Sequence, residues 1–184
     1  MLGDYVTIQT ATQNDQTYTL RDLNPDGLTW SVNPFQVQTL PITHTLCGDL
    51  LYSATFEADP VSDTSTPLSL SSTSLEFALY SEDPTLAGER TITLSATFAD
   101  YAVDPSTESF TVTIIDPCDN PVSVGLDVGE SFEDQEYIIT DAEKTYLLPS
   151  FVADPVWCDV TVTVVSSSSA VTYDSATGEV KFLW

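Results

Sequence analysis

Apolar and polar side chains alternate along most of this chain. Between Phe110 and Ile114, apolar residues occupy every second position and threonine fills the positions between them. A period of two is typical of a β-strand with one face in a hydrophobic core. Only Asp83–Gly88, with proline in a first-turn position and glycine at its end, is predicted to form a helical turn. The same alternation predicts further strands at 5–9, 16–20, 51–56, 75–79, 91–96, 160–164 and 180–183.

These short segments are bounded by Asn, Asp, Pro and Gly, which predicts an all-β fold of the sandwich type. The strand that starts at Phe110 ends at Asp116-Pro117, because proline has no N–H to donate to a ladder. After this break the pattern of the first residues begins again. We therefore predict two tandem β-sandwich domains, residues 1–117 and residues 118–184.

The two halves share an ordered set of landmarks. Any two sandwich domains alternate in this way, but the order and spacing of the matches favour an internal duplication. The matches, first copy with second, are Gln16-x-Tyr18 with Gln135-x-Tyr137, Thr29-Trp30 with Thr145-Tyr146, Phe35 with Phe151, Cys47 with Cys158, and Leu75–Phe77 with Val180–Phe182.

The copies are unequal. The first continues with two strands around Ile92 and Val112, and the second shows no equivalent of either before residue 184. A sandwich without its closing strands exposes apolar side chains, each worth roughly 1.5–3 kcal/mol when buried, and leaves ladder edges open. We expect either that the chain continues or that another subunit supplies the strands, as in donor-strand complementation. The residues predicted to take part are Tyr5, Val6 and Ile8 as the donor, and Val160, Val162, Val164, Val180 and Phe182 as the acceptor.

The net charge limits the classes of binding partner that we expect. Asp and Glu number 28 against 4 Lys and Arg, a net charge of -24. Such a surface repels phosphates, so nucleic acid is not an expected partner. No apolar run approaches the roughly 18 residues of a membrane helix, so membrane insertion is not expected either. The first residues also lack the pattern of a signal peptide.

Two stretches carry a resemblance to a known family. Leu86–Thr97 is similar to the penultimate strand, and Phe110–Pro121 to the final strand and linker, of the cadherin-like family of extracellular β-sandwich repeats, particularly its dystroglycan-type members. Tandem arrays with an Asp-Pro-Cys linker resemble surface proteins of ciliates and algae. The resemblance implies Ig-like or cadherin-like domains, an extracellular or cell-surface location, and structure or adhesion without catalysis.

The family pattern pairs the linker cysteine with the cysteine that heads a strand, which implies a disulfide between Cys118 and Cys158. Two buried thiols are the alternative. Cys47, the first-copy equivalent of Cys158, is then left over, either unpaired or bonded to a neighbouring molecule. Asp116, Asp119 and Asn120 resemble the calcium linker of cadherins. Calcium requires six to eight oxygen ligands, however, and Cys118 stands where an oxygen ligand is needed, so a simple Asx-Pro turn is the favoured interpretation.

The remaining candidate chemistry is sparse. No N-glycosylation sequon is present, and His44 has no second ligand or triad partner nearby in sequence, so no enzyme is predicted. The Ser/Thr-rich segment 63–74, which contains a proline, is interpreted as a loop suited to O-glycosylation, with a plain polar loop as the equal alternative. The candidate O-glycosylation sites are Thr64, Ser65, Thr66, Ser69 and Ser71.

These observations predict a structural subunit of an extracellular fibre or surface filament that assembles end to end by strand complementation between protomers. The expected partners are other copies of the chain, which form a homopolymer, and covalently attached glycans. The alternative is an adhesion or ligand-binding repeat from a longer cadherin-like surface protein, with Ca²⁺ as its only conceivable cofactor.

Overall fold

A computed structural model describes residues 6–21, 27–39, 48–100, 104–126, 134, 136–138 and 142–183. The chain forms two compact units, Met1–Asp116 (unit 1) and Pro117–Trp184 (unit 2). The described residues form β-strands, loops and a single 3-10 helix, which confirms the predicted all-β class. No helix in these ranges is long and apolar enough to cross a membrane.

The described residues of unit 1 form three sheets. Five strands form the largest, in the order β2-β10-β9-β5-β6, three form a second, β3-β8-β7, and β1 pairs with β4. The strands are β1 (Val6–Gln9), β2 (Gln16–Thr19), β3 (Leu28–Ser31), β4 (Gln36–Thr39), β5 (Leu50–Phe56), β6 (Asp59–Val61), β7 (Leu68–Ser71), β8 (Glu76–Leu79), β9 (Gly88–Phe98) and β10 (Ser106–Ile115).

The core of unit 1 lies between the five-stranded and the three-stranded sheets. Apolar side chains at alternate positions of β9 and β10 point to the same cluster as those of β7 and β8. Phe110 of β10 connects the two sheets, because its ring centroid lies 5.9 Å from that of Phe77 and 6.5 Å from that of Trp30. The predicted alternation thus places one face of each central strand against the opposite sheet, which is the arrangement of a β-sandwich.

Polar contacts fix the ends of the strands. Asp15 precedes β2 and accepts a hydrogen bond of 2.8 Å from the backbone N–H of Thr111, which ties β2 to its parallel neighbour β10. This hydrogen bond lowers the pKa of the Asp15 carboxyl. The predicted helical turn is a 3-10 helix at Pro84–Leu86, capped by Asp83, whose carboxylate accepts from the Thr85 N–H at 2.9 Å.

In unit 2, the part of the chain that the structure describes forms two smaller sheets. A two-stranded sheet pairs β11 with β13, and a three-stranded sheet has the order β12-β15-β14. All the described pairings are antiparallel. The strands are β11 (Ser123–Leu126), β12 (Lys144–Leu147), β13 (Phe151–Asp154), β14 (Val171–Asp174) and β15 (Glu179–Phe182).

The sheets of unit 2 repeat two of the three sheets of unit 1. The pair β11-β13 matches β1-β4, and β12-β15-β14 matches β3-β8-β7 in strand order, direction and hairpin length. In both hairpins a residue with positive φ closes a four-residue connection, Leu75 at 52° and Gly178 at 71°. The described residues of unit 2 contain no counterpart of the five-stranded sheet.

The pairing registers correct one sequence match. The sequence match aligns Leu75 with Val180, and therefore Phe77 with Phe182. In unit 1, however, Trp30 pairs with Phe77, and in unit 2 its counterpart Tyr146 pairs with Val180. The equivalent of Phe77 is therefore Val180, two residues away from the predicted match. The error arose because a shift of two residues preserves alternation, so the pattern alone does not fix the register.

Two further sequence predictions need correction. The Ser/Thr-rich segment is not one loop, because Leu68–Ser71 alternates and forms β7, hydrogen-bonded to β8. The segment Val160–Val164, predicted as a strand, pairs with no strand among the described residues.

Candidate strand-accepting surface

The side chains of the Val160–Val164 segment alternate as in a β-strand, but its backbone belongs to no ladder among the described residues. Val160, Val162 and Val164 are half-buried, whereas Thr161 and Thr163 between them are exposed. In unit 1 the segment at the same place in the repeat is β5, which is hydrogen-bonded between β6 and β9. The difference lies in the neighbours, because no described residue of unit 2 stands where β9 stands in unit 1.

The inner face of the three-stranded sheet is also less covered in unit 2. In unit 1 Leu68, Leu70, Phe77 and Leu79 on this face are all buried. By register their counterparts are Val171, Tyr173, Val180 and Phe182, of which only Val180 is buried and the others are half-buried. The predicted acceptor residues Val180 and Phe182 therefore lie on one partly covered apolar face.

A valine at the start of each unit shows the same contrast more sharply. Val6 pairs with Thr39 and is 9% exposed, because it packs against Phe98 at the end of β9. When Phe151 is matched with Phe35, Val122 takes the place of Val6, one residue before the Ser123–Asp154 pair that begins the β11-β13 ladder. The Val122 N–H bonds to the carbonyl oxygen of Asp154 at 2.9 Å. The side chain of Val122 is nevertheless 84% exposed. It lacks the cover that a strand equivalent to β9 gives to Val6.

A groove of about 520 Å³ opens beside the Val160–Val164 segment. Val160 and Val162 line it together with Phe151, Tyr173 and Leu147. Gly178 also lines the groove, at the position where Leu75 packs against the core of unit 1. The groove is therefore open partly because a leucine of the first copy is a glycine in the second.

A disulfide bond joins Cys118 to Cys158, the pair that the family resemblance implied, and it closes a separation of 40 residues. Cys118 lies just before β11, and Cys158 is buried immediately before the Val160–Val164 segment. Trp157 beside it is half-buried. The bond links the residues just before the Val160–Val164 segment to the turn that precedes β11.

The predicted donor residues lie inside unit 1 where they are described. Val6 and Ile8 belong to β1, which pairs with β4, and Ile8 packs against the main core. Tyr5 lies outside the described residues, as do Cys47 and His44. Withdrawing β1 from unit 1 would uncover Phe98 and the start of β5, so β1 is poorly placed to serve as a donor.

The remaining sequence-predicted sites are only partly assembled. The described residues contain no group of three or more His, Cys, Asp or Glu side chains arranged to hold a metal ion, so Asp116, Asp119 and Asn120 stay a prediction. Of the glycosylation candidates, Thr64 and Thr66 are exposed. Ser65, Ser69 and Ser71 are half-buried, and each hydroxyl hydrogen-bonds nearby backbone.

Asp134 is a residue that the sequence analysis missed. It stands one position before Gln135-x-Tyr137, just as Asp15 stands before Gln16-x-Tyr18. Asp15 binds the N–H of Thr111 in β10, whereas Asp134 is exposed on unit 2. The signal was present in the repeat, but its meaning depends on a hydrogen bond that only the structure shows.

No protein-family model and no curated protein matches the sequence. Among solved structures, the chain is similar to Sidekick-1 immunoglobulin domains 1–4 (11% identity, TM-score 0.39, covering 97% of this chain and 41% of that one). It is also similar to the protocadherin gammaB7 EC3–6 cis-dimer structure (16%, 0.42, 97% and 43%) and to the human desmocollin-1 ectodomain (12%, 0.39, 95% and 32%). These are Ig-like and cadherin ectodomains, and the chain spans less than half the length of each.

Proposed function

We propose that the protein is a structural repeat subunit of an extracellular fibre, in which unit 2 of one molecule is completed by β-strands of the next. The observation that carries this proposal is the Val160–Val164 segment, which alternates like β5 but has no ladder partner among the described residues. An apolar strand with an unpaired edge is a ready template for a strand from another chain.

The disulfide and the charge fit this setting. Disulfides persist in oxidising compartments, which supports an extracellular location. A net charge of -24 keeps assembled material soluble and limits non-specific association. Exposed Thr64 and Thr66 add sites at which O-linked glycans would further shield a fibre surface.

Assembly is tested with the full chain by light scattering after size exclusion and by negative-stain electron microscopy. Val162→Asp places a charge on the half-buried face of the unpaired segment and is expected to abolish end-to-end assembly. Thr163→Asp is the matched control, because it adds the same charge to the exposed face of the same segment. The control is expected to assemble as the parent chain does.

A parent chain that stays monomeric at high concentration would contradict the proposal. Equal loss of assembly in both variants would also contradict it, since the effect would then follow from charge alone. Far-ultraviolet circular dichroism of each variant shows whether unit 2 has kept its strands.

The second candidate function is an adhesion or ligand-binding repeat, which the groove of about 520 Å³ favours. Monomers whose groove binds a small apolar probe would support it. The calcium linker belongs to this candidate. Because the favoured interpretation of Asp116, Asp119 and Asn120 is a turn, millimolar Ca²⁺ is expected to leave the melting temperature unchanged, and a clear rise would establish a site.

A further inference from the structure

The outward side of the five-stranded sheet in unit 1 is made almost entirely of hydroxyl side chains. Alternate residues of β9 and β10 are buried in the core, and the residues between them point outward. Outward positions 91–97 of β9 are Thr, Thr, Ser and Thr, and outward positions 107–113 of β10 are Thr, Ser, Thr and Thr. Ser53 and Thr55 of β5 and Thr17 of β2 extend this surface on either side. We call it the hydroxyl face.

The hydroxyl face is neutral in a chain where charge is dense. Asp and Glu number 28, yet the only charged side chain at an outward position of β2, β5, β9 and β10 is Glu89, near the start of β9. By contrast, the outer face of the sheet β12-β15-β14 carries Asp174, Glu179 and Lys181. The composition of the chain alone therefore does not produce a neutral face, and such a face suits a neutral partner.

The hydroxyls also stand in register across neighbouring strands. Ser109 lies opposite Thr93, and Thr55 continues this row on β5. Adjacent strands lie about 4.8 Å apart, and residues i and i+2 of one strand lie about 6.4–6.8 Å apart, so the side chains repeat at fixed intervals in two directions. The Thr93 and Ser109 hydroxyls are hydrogen-bonded to each other at 2.9 Å, which restricts their rotation. The face is therefore a regular lattice of hydroxyl groups.

The chemistry of the face selects among the neutral partners that a hydroxyl lattice can meet. A second copy of the protein would bury the hydroxyls, and each buried hydroxyl costs free energy unless it finds a hydrogen-bond partner. A polysaccharide stacks its sugar rings on aromatic side chains, and no outward position of the four strands is aromatic. An ice surface instead presents water donors and acceptors at every lattice point, so each hydroxyl keeps its hydrogen bonds.

We propose that the hydroxyl face binds ice, an activity that goes beyond fibre assembly and does not depend on it. The two repeats of the face lie within about a tenth of the oxygen repeats of the prism plane of hexagonal ice. Neighbouring strands are twisted by roughly 20–25°, so the match holds over adjacent strands, and β9 and β10 supply the two longest rows of hydroxyls. Ions do not enter the ice lattice, so the carboxylates elsewhere on the molecule stay in the liquid and leave the neutral face toward the crystal.

Ice binding is tested with the full chain by growing a crystal slowly from a dilute solution and measuring how much protein the ice retains. The parent chain is expected to be enriched in the ice and to give faceted crystals. Ser109→Lys places a charged side chain at the centre of the face and is expected to abolish the enrichment. Thr91→Lys, on the neighbouring strand, is expected to give the same loss. Ser31→Lys is the matched control, because Ser31 is also an exposed strand serine but lies on the outer face of the other sheet.

A parent chain that growing ice excludes would overturn the proposal, as would equal enrichment of the parent and Ser109→Lys. Loss of enrichment in Ser31→Lys as well would also overturn it, because added charge at any site would then be the cause. Exclusion from ice together with retention on insoluble cellulose would assign the face to a polysaccharide. Exclusion from ice together with self-association that Ser109→Lys removes and Ser31→Lys keeps would assign it to a second copy. Far-ultraviolet circular dichroism confirms that each variant has kept its strands.

Discussion

Val6 and Val122 offer a matched pair of substitutions, because they occupy equivalent positions in the two units. Val6 is 9% exposed and packs against Phe98, whereas Val122 is 84% exposed. Val→Ala removes two methyl-sized groups, each worth about 0.8 kcal/mol when buried. With a term for the cavity, Val6→Ala is expected to lower the free energy of unfolding of unit 1 by about 1.5–2.5 kcal/mol.

Val122→Ala is expected to change the stability of the dilute monomer by less than about 0.5 kcal/mol, as surface substitutions do. Under the proposed assembly a strand of the next molecule covers this side chain, so its loss is expected to weaken each junction by the amount seen at Val6. A difference of about 1.5–2.5 kcal/mol corresponds to a rise of about 10- to 60-fold in the concentration needed for assembly.

Guanidinium denaturation of the monomers, with hydrogen exchange to assign each transition to its unit, gives the unfolding free energies of the two variants. Sedimentation of the assembled material at a series of concentrations gives the concentration that each variant needs for assembly. The reasoning is refuted if Val122→Ala destabilises the monomer as much as Val6→Ala does, because Val122 would then already be covered. It is equally refuted if the concentration needed for assembly does not change.

Further predictions concern the disulfide, pH and salt. Replacing Cys118 and Cys158 by serine releases a link across 40 residues and is expected to destabilise unit 2 by about 3–4 kcal/mol in thermal or chemical unfolding, with unit 1 unchanged. The pKa of the Asp15 carboxyl is lowered in the folded state, so the stability that its hydrogen bond contributes is present above the unfolded pKa and is lost as pH falls through the folded pKa. Asp15→Asn should therefore reduce the loss of unit 1 stability at acid pH. An unchanged profile of stability against pH would contradict the Thr111 contact. Because each molecule carries a net charge of -24, added salt should lower the concentration needed for assembly, and an increase would contradict assembly through apolar contact.

The sequence predicted most reliably those strands whose alternation coincides with a buried face. Residues 91–96 and 110–114 fall within β9 and β10, and every inward side chain of these two segments is buried. The strand Leu68–Ser71 was missed because its serines give the segment the composition of a polar loop. The strand Leu28–Ser31 was missed because four residues are too few to show a clear alternation. Local pattern identifies a half-buried strand, and it is weakest where the strand is short.

The candidate site was predicted in outline only. Alternation marked Val160–Val164 correctly as an apolar face, but a ladder requires a partner, and pairing is a non-local property. Val122 and Asp134 escaped notice because their significance lies in a register comparison with Val6 and Asp15. The two-residue error at Val180 has the same origin, since alternation fixes the face of a strand and leaves its register open.

The central claim is that another molecule completes unit 2 along Val160–Val164. The most direct test is the exchange rate of the backbone amides at 160–164, measured in the dilute monomer and again in assembled material. The account predicts fast exchange in the monomer and strong protection after assembly, with no such change in Val162→Asp. Amides that are already protected in the monomer, or filaments in which these amides still exchange freely, would contradict it.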